Sequence, residues 1–217
     1  MRKKVDIDAW ERKMVYKNFI AYTHPTFSLS AFVDVTDLVG YCKGNGKSFF
    51  ACFLYVLSRA LNNVDAFRLR IQDGEVFLYD RIHPNYIVMK DDQTIATCRT
   101  EMREDFNAFY DKARKDIETV KRAGEDEPFN KSNENNVFYI SCLPWLDFHS
   151  VSNPYDFTNH EQTSIPRITW GKYIEKDNRL QMLVDISVHH ALMDGKMVAD
   201  AFLELRKMLS TIENILR

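Results

Sequence analysis

The chain predicts an α+β fold in which helices pack in a second layer against a mixed, mostly antiparallel sheet. Three observations carry this. Period-two alternation and helical periodicity both recur along the 217 residues. They are interleaved without the strict strand–helix–strand order of a parallel α/β protein. Aromatic residues make up 13% of the chain, enough to fill a sizeable core or line a pocket. No internal repeat or long linker divides it, so residues 1–217 are expected to form a single domain.

From the N-terminus, Asp8 with Glu11 three residues later reads as a capping box, opening a helix from Ala9 to Phe19. Phe27, Leu29, Ala31, Val33 and Val35 alternate with mostly polar residues and predict a strand. Thr36 is placed to cap the short helix that follows, and Gly44-Asn45-Gly46 breaks the chain. Lys47 to Asn63 reads as a largely buried helix. Arg68 to Ile71 and Val76 to Tyr79 flank Gln72-Asp73-Gly74-Glu75, a hairpin signal, because Asp-Gly accepts the positive φ angles of a two-residue turn. Strands are predicted near Tyr86–Met89 and Thr94–Cys98. A helix follows from Asp105 to Lys121, with Phe106, Phe109, Tyr110 and Ile117 on one side. Gly124 to Asn136 is polar and aperiodic, a loop. Val137 to Leu143 is a strand that Pro144 stops. Ile168 to Ile174 and Leu180 to Val188 are strands joined through Glu175-Lys176-Asp177-Asn178. Val198, Phe202, Leu205, Leu209 and Ile212 lie at helical spacing in the last element.

Composition excludes several functions. A formal charge of -2 provides no broad basic surface for nucleic acid. No segment approaches the roughly 18 apolar residues of a membrane span. The charged start Met1-Arg2-Lys3-Lys4-Val5-Asp6 is followed by no apolar leader segment. Cys42, Cys52, Cys98 and Cys142 are scattered without a CxxC pair, which fits a reducing compartment. A cytoplasmic location is therefore expected. Gly44-x-Gly46-Lys47 lacks the spacing of a phosphate-binding loop.

The segment richest in chemistry is Val188-His189-His190-Ala191-Leu192-Met193-Asp194-Gly195. It ends an alternating run and precedes a helix, so it can hold an imidazole at the rim of a cleft. On the strand, Met182, Val184, Ile186, Val188 and His190 share one face, and Leu183, Asp185, Ser187 and His189 the other. The two histidines therefore point apart. Taken alone, the motif suits two satisfied structural histidines beside a capping aspartate. It also suits a general base, since histidine titrates near neutral pH. A metal site is disfavoured. His190 and Asp194 are spaced for ligation, but His24, His83, His149 and His160 complete no ligand pattern.

His-His-x-x-x-Asp-Gly at His189 to Gly195 resembles the signature of the coenzyme A-dependent chloramphenicol acetyltransferase family. Four further segments resemble that family in order: Trp10-Glu11-Arg12, Phe27-Ser28-Leu29 with Val33-Asp34-Val35-Thr36, Ile140-Ser141-Cys142-Leu143-Pro144-Trp145, and Ile168-Thr169-Trp170-Gly171-Lys172-Tyr173. The length is similar to that of the single-domain enzymes. The resemblance implies an O-acetyltransferase with that family's fold, acetyl-coenzyme A as co-substrate and no tightly bound cofactor or metal. It implies His190 as general base, Ser141 as donor to the oxyanion, and Thr169 as holder of an ordered water. Asp194 would pair with Arg12 to fix the loop carrying His190. Trp145, Lys172 and Tyr173 fall where the family contacts coenzyme A. The implied assembly is a homotrimer with active sites between subunits.

At the acceptor positions the chain departs from the pattern. Two adjacent aromatics of the family become Asn18 and Phe19, and Phe27 survives within His24-Pro25-Thr26-Phe27. The expected acceptor is chloramphenicol or an analogue. The alternatives are the same chemistry on another small hydroxylated compound, or a catalytically silent binding protein of the same fold. The joint presence of Arg12, Ser141, Thr169, His190 and Asp194 argues against silence.

Overall fold

The computed structural model describes residues 1–122 and 135–217. Its elements in chain order are β1 (Arg2–Lys4), α1 (Lys13–Phe19), β2 (Thr26–Asp34), α2 (Thr36–Gly44), α3 (Phe49–Asn62), a 3-10 turn (Asp65–Arg68), β3 (Leu69–Gln72) and β4 (Glu75–Tyr79). Then come β5 (His83–Met89), β6 (Ile95–Arg99), α4 (Phe106–Arg122), β7 (Val137–Leu143), α5 (His160–Thr163), β8 (Arg167–Gly171), β9 (Ile174–Lys176), β10 (Arg179–His189), α6 (Gly195–Leu209) and α7 (Ile212–Ile215).

The strands form two sheets. A seven-stranded sheet runs β2-β10-β8-β7-β5-β6, with β9 paired to β10, and a three-stranded sheet runs β1-β4-β3. The larger is mixed: β5, β7 and β8 are parallel, and the other pairs are antiparallel. The α+β, mostly antiparallel expectation therefore holds.

Register sorts the sheet into two chemically different faces. Ile140, Ile168 and Ile186 lie side by side in one row. Helix α3 covers this face, placing Phe50 and Phe53 against Trp170, with Phe50 also on Tyr86. All three isoleucines are buried. On the opposite face Ser141 pairs with Thr169, Thr169 with Asp185, and Asp185 with Ser30. The next row on that face is Tyr139, Arg167, Ser187 and Ser28. A hydroxyl- and charge-bearing face this continuous is not a core face.

Several boundaries move. The first helix begins at Lys13, not Ala9. Asp6, rather than Asp8, accepts backbone N–H bonds from Asp8 and Ala9 and holds a turn there, and Asp8 is paired with Lys13. Thr36 does not cap the next helix but is the first residue of α2, and its N–H donates to Asp34 Oδ1 at 2.9 Å. The expected strand Ile168 to Ile174 is broken at Lys172 and Tyr173, because Gly171 passes against the Leu146 carbonyl, 2.8 Å from where a Cβ would stand. The Asp-Gly hairpin forms as expected, with φ +52° at Asp73 and +74° at Gly74. Asp177 and Asn178 build an equivalent turn at +54° and +59°. The loop expected at Gly124 to Asn136 lies, up to Glu134, outside the described residues.

The fully buried Arg70 links the two sheets. Its guanidinium donates to the carbonyls of Asn135 (2.8 Å), Phe67 (2.9 Å), Leu69 (2.6 Å) and Val137 (2.6 Å). It thereby ties β3 to the start of β7, the strand that carries Ser141. Burial lowers its pKa to about 9.

Candidate active site

Strand β10 ends at His189, and His190 heads the turn into α6. The His190 N–H donates to the Pro25 carbonyl at 2.7 Å, pinning the turn to the segment before β2. The His190 ring lies on Phe19, centroids 3.8 Å apart and planes 4° from parallel. Phe27 approaches it at 4.7 Å with a 46° tilt. Two apolar faces thus fix the imidazole plane. Nδ1 is buried without a hydrogen-bond partner, leaving Nε2 as the nitrogen an incoming hydroxyl can meet.

His189 is directed elsewhere, as strand parity requires. It is fully buried. The Ala191 N–H donates to its Nδ1 at 3.2 Å, so the proton sits on Nε2, which donates to Nδ1 of His160 at 3.3 Å. Burial, followed by the neighbouring His160 and His190, lowers its pKa to about 3. It stays neutral and structural.

Asp194 serves two partners. One carboxylate oxygen caps α6 by accepting from the Lys196 and Met197 N–H groups at 3.0 and 3.3 Å. The other accepts from Arg12 Nη1 at 2.5 Å. Burial opposes the carboxylate charge, but the Arg12 hydrogen bond and the two backbone donors outweigh it, so the pKa lies below the usual value. Arg12, at the start of α1, therefore clamps the helix that ends in Phe19 to the helix that follows His190.

Ser141 and Thr169 are neighbours in register on β7 and β8. Thr169 Oγ1 is buried without a hydrogen-bond partner. They are not beside His190 of the same chain. Thr169 pairs with Asp185, five residues before His190, which is roughly 16 Å of extended strand. Trp145 and Lys172 are exposed. The Lys172 N–H donates to the Leu146 carbonyl at 3.0 Å, so the end of β8 and the segment after Pro144 lie together. Tyr173 packs on Phe49 at 5.4 Å. Asn18 is exposed on α1.

A family model described as chloramphenicol acetyltransferase matches residues 2–206. The chain belongs to the chloramphenicol acetyltransferase family. A chloramphenicol acetyltransferase of Staphylococcus aureus is 30% identical over 194 residues, covering 88% of each chain. One of Proteus mirabilis is 31% identical over 193 residues, covering 88% of this chain and 87% of that one. A solved chloramphenicol acetyltransferase structure superposes with a TM-score of 0.87 at 28% identity, covering 96% of this chain and all of the other. As a member of the chloramphenicol acetyltransferase family, the chain is an O-acetyltransferase that uses acetyl-coenzyme A.

In this family member the sequence reading passed over a group on the polar sheet face. A cavity of about 360 Å³ is lined by Ser141 together with Asn85, Tyr139, Asn153, Gln162 and Arg167, among others. The available signal was parity. Arg167 stands two residues before Thr169 and so shares its face, as Tyr139 does with Ser141. A single arginine at a strand start otherwise reads as solvated surface.

Proposed function

We propose that His190 is the general base of acetyl transfer from acetyl-coenzyme A to a small hydroxylated acceptor. The observation that carries this is the His190 imidazole clamped between Phe19 and Phe27 on a turn anchored by Asp194 and Arg12. His190 takes the proton of the acceptor hydroxyl as that oxygen attacks the thioester carbonyl. Ser141 donates a hydrogen bond to the resulting oxyanion, a contribution of about 3 kcal/mol for one good donor. The buried, unpartnered Thr169 hydroxyl supports its role in holding a water near the same intermediate. Collapse breaks the C–S bond, His190 returns the proton to the leaving sulfur, and the products are the acetyl ester and free coenzyme A.

Trp145, Lys172 and Tyr173 bind coenzyme A, which is a co-substrate and not a resident group. Residues 1–217 act as one acyltransferase domain. The separation of Ser141 from His190 along β10 supports a homotrimer whose sites join His190 of one copy to Ser141 of the next. Four free cysteines, and the lack among the described residues of a helix long and apolar enough to cross a membrane, support action in the cytoplasm.

The names of the relatives point to chloramphenicol or an analogue as acceptor, with resistance to that antibiotic as the consequence. A second reading, another hydroxylated acceptor, is favoured by the exposed Asn18 and by Phe19 packing against His190. Thiol release from acetyl-coenzyme A, measured with chloramphenicol and a panel of hydroxylated compounds, tests both. Release that persists in His190→Ala with folding intact removes the mechanism.

A further inference from the structure

We infer that the acceptor carries an oxyanion, a carboxylate or a phosphate monoester, held by Arg167 and Asn153 in the cavity beside Ser141. This rests on the acetyl-transfer reading with a hydroxylated acceptor other than chloramphenicol, which carries neither group, since Ser141 is what makes the cavity an acceptor pocket.

The cavity, about 360 Å³, sits on the polar face of the large sheet and suits a small ligand. Two of the residues lining it carry a hydrogen-bond donor without an acceptor: Nε of Arg167 and Nδ2 of Asn153 are both buried and unpartnered. The charge of Arg167 is also unmatched, because it forms no ion pair with any described acid. Asp185, in the adjacent row of the same face, accepts from the Ser30 hydroxyl at 2.7 Å through Oδ2, while its buried Oδ1 has no partner. Burial raises its pKa and favours the uncharged acid, which does not neutralise Arg167.

The guanidinium is held in place without being neutralised. It stacks 3.8 Å from the Tyr155 ring centroid and 5.8 Å from that of Tyr139. The Tyr155 hydroxyl donates to Ser187 at 2.8 Å, and the Tyr139 hydroxyl to Gln162 at 3.0 Å. Burial works against the Arg167 cation and lowers its pKa. An apolar acceptor would leave both donors unpaired and the charge desolvated. A neutral polar acceptor could satisfy Asn153 but would leave the charge unmatched. An oxyanion satisfies both, because the planar guanidinium fork matches the geometry of a carboxylate or phosphate.

The test is calorimetric binding to the full-length protein of three matched pairs. They are N-acetylserine against its methyl ester, para-hydroxymethylbenzoate against its methyl ester, and glycerol phosphate against glycerol. The expected result is that at least one charged member binds about tenfold or more tightly than its uncharged counterpart. That ratio should fall below about twofold in Arg167→Leu and to an intermediate value in Asn153→Leu. Which pair shows it distinguishes carboxylate from phosphate. The inference is overturned if no charged member is preferred by the wild-type protein, as when an acid of a neighbouring copy already neutralises Arg167. It is equally overturned if the preference survives in folded Arg167→Leu. Thiol release with the same six compounds and with chloramphenicol reads the acetyl-transfer step separately. Turnover of uncharged members alone overturns this inference and spares that reading. Binding of a charged member without its turnover, while chloramphenicol is turned over, overturns the inference that the acceptor carries the oxyanion and spares acetyl transfer. Release from none of the six compounds or chloramphenicol overturns the acetyl-transfer reading of the site.

Discussion

Phe19 lies flat on His190, with ring centroids 3.8 Å apart and planes 4° from parallel. The residue expected to touch the acceptor therefore covers a face of the imidazole and sets its orientation. Phe19→Ala should lower kcat about ten- to a hundredfold, as misplacing a reacting group does, with the KM for acetyl-coenzyme A within about twofold. Phe19→Tyr keeps the ring and should retain most activity. Steady-state thiol release checks this. A rise in acceptor KM with kcat unchanged would return Phe19 to the role of an acceptor contact.

Arg12 and Asp194 join α1 to α6 on either side of the site. Asp194→Asn keeps an oxygen to cap α6 but loses the charge that meets Arg12. The Asp194 side chain is 36% exposed and that of Arg12 only 10%, so the loss should be about 2 kcal/mol, less than for a fully buried pair. Arg12→Met combined with Asp194→Asn should cost less than the sum of the two single changes, because neither charge is then left alone. Urea denaturation of the four proteins measures this coupling, and additive losses would show that the pair acts only as two separate contacts.

His189 makes stability depend on pH. In the unfolded chain it protonates below about 6.5, whereas in the fold it stays neutral down to about 3. Within that window the unfolded state binds the extra proton, so stability falls as pH falls, by at most about 1.4 kcal/mol per pH unit. His189→Gln should flatten the slope of urea midpoint against pH between 6.5 and 3. Equal slopes for the two proteins would contradict this origin.

Arg70 predicts a purely structural defect. Arg70→Met leaves four buried carbonyls without their donor, a cost of about 2–4 kcal/mol after allowing for relief of the buried charge. The urea midpoint should drop accordingly. A neutral or stabilising effect would show that the desolvated charge outweighed its hydrogen bonds.

How much of this was legible depended on the range of the physics. Strand β7 was predicted to the residue, because its alternation ends at Pro144. The Asp73-Gly74 turn was legible because only certain residues accept its φ angles. The break at Lys172 was not, since it depends on the Leu146 carbonyl approaching Gly171 from 25 residues earlier in the chain. The start of α1 was missed because Asp6 holds a separate turn just before it. In the site, strand parity separated His189 from His190, and the five matching segments singled out Ser141, Thr169, Arg12 and Asp194. Arg70, Asn153 and Arg167 stayed hidden, because a lone polar residue gives no sign in sequence that folding will bury it, as for Arg70, or half-bury it, as for the other two.

The most direct measurement concerns the assembly of His190 and Ser141 from different copies. His190→Ala and Ser141→Ala subunits, each impaired about a hundredfold or more as homo-oligomers, are co-refolded in equal amounts and assayed for thiol release with an acceptor the wild-type protein turns over. Sites between subunits predict recovery of about a quarter of wild-type activity, because random assembly pairs an intact His190 with an intact Ser141 at that frequency. Activity no higher than the average of the two parents would contradict the account.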